Sequence, residues 1–177
     1  MRTNRGISSI VVIPYDPKWP ESFEAIKSEI VRALDDLIIG IEHVGSTSVI
    51  GLSAKPIIDL DVIIKDYSIL EKVIDKLKSI GYEYQGDLGI KEREAFFYEG
   101  KTHLQSHNLY VCPKNSRELH RHVTFRNYLR SHPDAVKRYS QVKLEGAKLY
   151  PNDIDKYLEH KTPFIHEIYV LCGLEKQ

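Results

Sequence analysis

Two cysteines, Cys112 and Cys172, are the only thiols in this chain of 177 residues. Their spacing makes neither a metal knuckle nor a redox pair. So few thiols in a chain this long suit a reducing, cytoplasmic setting. Excess charge of one sign is also missing, because Lys plus Arg and Asp plus Glu both number 25. No global field draws the chain to DNA or to a membrane surface, so any phosphate recognition has to be local. Long apolar runs are scarce as well. The longest early one, Ile10 to Ile13, is too short for a signal peptide or a membrane span, and the expectation is a soluble intracellular protein. No glycine-rich linker, low-complexity stretch or internal repeat divides the sequence, which bounds it to one domain, with or without a helical appendage.

What is present falls into two halves. Residues 1–8 read as a mobile tail and Ser9 to Ile13 as a short strand stopped by Pro14. Phe23, Ile26, Ile30, Leu34 and Leu37 recur at helical spacing, as do Ile69, Leu70, Val73, Ile74, Leu77 and Ile80, the second set closed by Gly81. Strands are expected at Ile38–Val44, Ile57–Ile64, Tyr82–Tyr84, Ala95–Glu99 and His107–Cys112. Beyond Pro113 the pattern becomes helical, with Pro133 opening one helix and Pro163 in or before the last. The expected class is α+β: a mixed β-sheet flanked by helices over about 9–112, and a helical C-terminal part over about 113–177.

The stretch from Glu42 to Ile64 carries the chemistry. Side chains alternate along a strand, so Asp59 and Asp61 share one face while Ile58, Leu60, Val62 and Ile64 share the other. Two carboxylates roughly 6–7 Å apart at Cα repel unless a cation or solvent offsets them, and a divalent metal is the economical explanation. Ahead of them Gly45 permits close backbone approach, and Ser46, Thr47 and Ser48 suit a helix start whose amides can seat an anion. A P-loop is excluded because Lys55 is followed by Pro56, and the glycines at 45 and 51 lack dinucleotide-fingerprint spacing. His120 and His122, two apart on a helix, make a poor zinc chelate. Arg93, Lys143 and Lys161, with Lys55 behind them, are the candidate phosphate contacts. His107 reads either as a hydrogen-bonded strand histidine or as a general base.

The run G-S-T-S-V-I-G-L-S-A-K-P-I-I-D-L-D at 45–61 closely resembles the GrpB-like family within the nucleotidyltransferase superfamily. Supporting matches are G-D-L-G-I at 86–90 with Arg93 and Phe96 beyond, His107 through Val111, F-R-N-Y-L-R-S-H-P at 125–133, and Tyr157, Lys161 and Phe164. Ile50 departs from the pattern, where proline is expected. The resemblance implies a nucleotidyltransferase-like core that uses a nucleoside triphosphate and Mg2+. Gly45 and Ser46 would seat phosphates, and Asp59 and Asp61 would bind metal. The acceptor would be an unidentified small molecule, protein or RNA. The resemblance further implies a third acid from a neighbouring strand. His107–Cys112 contains none; His107 stands there, and Glu42, Asp87, Glu94 and Glu99 are the alternatives. A binding module without turnover is the competing expectation.

Overall fold

A computed structural model describes residues 9–176, so the tail expected at 1–8 lies outside the described residues. The elements run α1 (Trp19–Leu34), β1 (Gly40–Val44), β2 (Ile58–Ile64), α2 (Leu70–Ser79), β3 (Tyr82–Tyr84), β4 (Glu94–Tyr98), β5 (His107–Pro113), α3 (Arg117–Ser131), α4 (Pro133–Leu149) and α5 (Ile154–Leu171). Ser9–Ile13 does not become a strand; only an isolated bridge joins Ile13 to Ala54. Pro14 lacks the amide needed to extend that pairing.

The five strands form one mixed sheet in the order β1-β2-β5-β4-β3. β2 pairs antiparallel with β1 and parallel with β5, while β4 runs antiparallel to both β5 and β3. Alternation on β2 sends Ile58, Leu60, Val62 and Ile64 into a fully buried core. There they meet Phe23, Ile26, Ile30 and Leu34 of α1 and Val73 and Leu77 of α2. Each such side chain contributes about 1.5–3 kcal/mol on removal from water. α1 opens with Pro20 in its first turn, where a missing amide costs nothing.

The opposite sheet face is covered by the C-terminal helices, with α3 lying against β1 and β5. α3 starts at Ser116, whose Oγ accepts from the Leu119 amide at 3.2 Å, and α5 starts at Asp153, whose carboxylate accepts from Lys156 at 3.1 Å. Pro133 stands at the first turn of α4. Pro163 lies inside α5, where the helix loses one backbone bond but continues. A second apolar cluster joins Val49 and Leu52 to Leu129, Val136, Tyr139, Phe164 and Ile168. The polar face of β2 is thus held between two cores.

Candidate active site

Register places the site residues in rows across the sheet. Val44, Asp59 and Asn108 form one row, and Glu42, Asp61 and Tyr110 the next, with Ala95 continuing it onto β4. Asp59 and Asp61 therefore share the face under the C-terminal helices. Asp61 is wholly buried, and Asp59 is partly exposed.

Gly45 follows β1 directly and adopts φ +69°, a conformation that favours glycine. A Cβ there would overlap the Asp59 carboxylate, lying 2.9 Å from its Cγ. The turn is thus pressed against the first acid. A short 3-10 helix over Ser46–Ser48 follows it, and Ser48 Oγ donates to the Gly45 carbonyl at 2.5 Å.

Asp59 Oδ1 accepts from Asn108 Nδ2 at 2.8 Å. Burial pushes this carboxyl up; the Asn108 bond and the nearby His122 charge oppose that, and Asp61 adds to it. Asp61 Oδ2 pairs with His122 Nδ1 at 2.7 Å, whereas its Oδ1 is buried with no hydrogen-bond partner. Burial alone would depress His122, but the Asp61 bond and the charges of Asp61 and Glu118 outweigh it and raise its pKa.

Three lysines surround the Asp59 end. Lys143 of α4 is buried, donates to the Ser53 carbonyl at 2.8 Å and lies 4.8 Å from the Tyr139 ring centroid. Lys161 of α5 lies 4.7 Å from the Tyr157 ring, and Lys55 reaches the same ring at 5.9 Å. Burial holds all three below the ordinary lysine range, with repulsion from neighbouring lysines adding to it at Lys143, which is well down, and at Lys161, at about 8, while Asp59 partly offsets this. Such a group gains most from an anion with several charges.

The remaining candidates are less gathered. Arg93 stacks on Tyr110 at 4.3 Å, with its Nε buried and unpartnered; it precedes β4 on the Asp61 side, away from the lysines. His107 faces the other side of the sheet, because it pairs with Ile58, one residue out of phase with the acids. There it stacks on Tyr98 at 4.2 Å and bonds the Tyr82 hydroxyl at 2.7 Å. Burial lowers its pKa. Its placement on the strand corrects the expectation of a base: the position facing the acids belongs to Asn108. Among the substitutes, Glu94 is held by the Tyr67 and Tyr84 hydroxyls at 2.9 and 2.5 Å, Asp87 caps a turn, and Glu99 is exposed. Glu42 does share the face, opposite Asp61, but Arg126 Nη1 binds it at 2.5 Å.

Sequence reading missed the role of α3. His122, Arg126 and Arg130 recur every fourth residue and form one stripe on the sheet. Arg126 Nη1 also donates to the His43 carbonyl at 2.8 Å, and Arg130 donates from Nε and Nη2 to the Ser48 carbonyl at 3.0 and 2.8 Å. The stripe pins the second acid, the end of β1 and the glycine turn. His122 does not pair with His120; its partner comes from the sheet.

The two acids offer donor atoms of the kind that magnesium takes. Hard carboxylate oxygens, including the orphaned Asp61 Oδ1, are suitable donors, and magnesium retains waters and takes phosphate oxygens as its other ligands. Among the described residues no group of three or more His, Cys, Asp or Glu side chains is gathered as a metal cluster.

The mixed five-stranded sheet flanked by helices, with two acids and a Gly-Ser turn on one face, has the nucleotidyltransferase fold. Cid1 poly(U) polymerase with MgGTP bound shares that fold at a TM-score of 0.53 and 17% identity, over 75% of this chain and 42% of Cid1. The chain belongs to the GrpB protein family, whose profile matches residues 9–170. The conserved protein GrpB from Enterococcus faecalis is 34% identical and superimposes at a TM-score of 0.81, over 92% of this chain and 96% of that one. UPF0157 protein YqkA of Bacillus subtilis is 31% identical over 88% of this chain, which spans 45% of YqkA's length. No helix among the described residues is long and apolar enough to cross a membrane.

Proposed function

We propose that the protein seats a magnesium-bound nucleoside triphosphate against Gly45, Ser46, Asp59 and Asp61, and transfers its nucleotidyl group to an acceptor hydroxyl. The observation carrying this reading is the convergence of a glycine turn, two same-face acids and Lys55, Lys143 and Lys161 from three separate elements. Ser46 and the turn amides orient the phosphates, and the lysines neutralise the pyrophosphate as it leaves. Bound magnesium would neutralise the α-phosphate charge between Asp59 and Asp61. Arg93 lies on the far side of Asp61 and would serve the acceptor rather than the phosphates. The acceptor is a small molecule, a protein or an RNA end, and the balanced charge of the chain argues against an extended nucleic-acid groove. The reading divides the chain into a core over about 9–112 and a helical part over 113–177 that supplies Lys143 and Lys161, at work in the cytoplasm.

Asn108 favours a second reading, a seat without turnover that reports nucleotide to another component. An amide cannot take the acceptor's proton, and Asn108 stands opposite Asp59 in the register. Calorimetry with magnesium and each triphosphate, alongside a pyrophosphate-release assay, separates the two. Binding with release supports transfer, and binding without release over hours supports the second reading. Asp59→Ala with Asp61→Ala should abolish magnesium-dependent binding; unchanged binding in that variant would sink both.

A further inference from the structure

A cleft of about 430 Å³ opens on the other side of the glycine turn. Its floor is Thr47 and Ser48, its rim Tyr15, Pro20 and Ile50, and its one cation Arg130. Neither acid of the magnesium pair nor any of the three lysines lines it, so it is separate from the proposed triphosphate seat. The volume falls within the range of small-molecule sites, about 300–1,000 Å³.

The lining has two chemistries at opposite ends. Arg130 commits Nε and Nη2 to the Ser48 carbonyl, and the side chain as a whole is exposed. No carboxylate among the described residues lines the cleft; Glu42, whose field reaches Arg130, is already bound by Arg126. His43 at the floor is kept uncharged, its pKa brought down to about 4 by burial and by Arg130 and Arg126, and it bonds Thr47 Oγ1 at 3.0 Å. The rim is apolar and open: Ile50 is 79% exposed, and Tyr15 is braced edge-on against Trp19 at 5.4 Å. A cation without a competing carboxylate selects an anion, while an exposed isoleucine beside an aromatic ring selects an apolar body.

We propose that this cleft is a second ligand site, which takes a small organic anion with its head on Arg130 and its apolar body between Tyr15 and Ile50. The site is coupled to the glycine turn by a short path. Arg130 holds the Ser48 carbonyl, and the Ser48 amide and hydroxyl both donate to the Gly45 carbonyl, at 3.3 and 2.5 Å. An anion drawing Arg130 outward changes the hold on Ser48 and hence the position of Gly45 against Asp59. Ligand in the cleft therefore adjusts the turn without touching the acids.

Phenyl phosphate, which joins an anionic head to an aromatic body, is the probe. Amide chemical shifts of the isotope-labelled full chain are followed during its titration. Saturable changes at Thr47, Ser48 and Ile50, with smaller ones at Gly45 and Ser46, are the expected result. Arg130→Gln should weaken binding about tenfold or more by removing a charge-assisted contact. Ile50→Glu, on an exposed rim position that does not support the fold, should weaken it similarly by repulsion. The proposal is overturned if the shifts do not saturate, if they centre on Lys143 and Lys161 instead, or if Ile50→Glu binds as the wild type does. Shifts centred on the cleft report this site and shifts centred on Lys143 and Lys161 report the lysine cluster, so the titration distinguishes the two seats whether or not the acid face binds nucleotide.

Discussion

Asn108 donates its amide to Asp59 at 2.8 Å from the strand where a third acid is expected. Replacing it with aspartate would trade that bond for a like charge beside an acid whose pKa is already raised. In metal-free buffer Asn108→Asp should lower stability by about 1–2 kcal/mol in urea titrations. With magnesium and triphosphate present, the new carboxylate can accept a proton, and pyrophosphate release should rise about a hundredfold. No rise in release would show that the acid set is not what limits turnover. Lys161 supplies a second test. Burial and Lys55 bring its pKa down to about 8 in the free protein, and bound phosphate favours the charged form. Triphosphate affinity should therefore hold below pH 8 and decline as pH rises above it, until the higher pKa of the complex is passed. Calorimetry at several pH values reads this, and Lys161→Met should bind more weakly with the decline removed.

The element that most shapes the site is α3. Its sequence shows a helix and shows the four-residue spacing of His122, Arg126 and Arg130, yet a polar stripe on a helix ordinarily faces water. Only the sheet supplies the partners, Asp61, Glu42 and two carbonyls, that turn this stripe inward. The same limit explains His107. Strand existence was readable from H-N-L-Y-V, but which of His107 and Asn108 faces the acids depends on the register with β2, and a shift of one residue exchanges them. By contrast, the shared face of Asp59 and Asp61 follows from local alternation and was legible directly. Arg126 tests the clamp. Arg126→Ala leaves the His43 carbonyl without its donor and Glu42 without its cation, the latter partly solvated at 38% exposure. Discounting for that exposure, the loss should be about 2–3 kcal/mol in urea unfolding. A change under about 0.5 kcal/mol would mean that α3 is held by its apolar contacts alone.

At the scale of the molecule, the acids lie between two apolar cores of different parentage. One joins the sheet to α1 and α2, and its pattern was plain in the sequence because alternation on β2 and helical spacing on α1 specify the same buried side. The other joins Val49 and Leu52 to α3, α4 and α5, and was not legible, since nothing local says that a four-residue loop will be the floor for three helices. The two cores have different consequences for the site. Ile30 and Leu129 are both almost wholly buried, so Ile30→Ala and Leu129→Ala should each cost about 2–5 kcal/mol in urea unfolding. Ile30 belongs to the core under the apolar face of β2, whereas Leu129 helps to hold the layer that carries Lys143, Lys161 and His122 over the acids. Under conditions where both variants remain folded, Leu129→Ala should therefore bind magnesium triphosphate several-fold more weakly, while Ile30→Ala binds as the wild type does. Equal affinities in the two variants would mean that the lysines are positioned by their own contacts, such as that of Lys143 with the Ser53 carbonyl, and not by the core behind them.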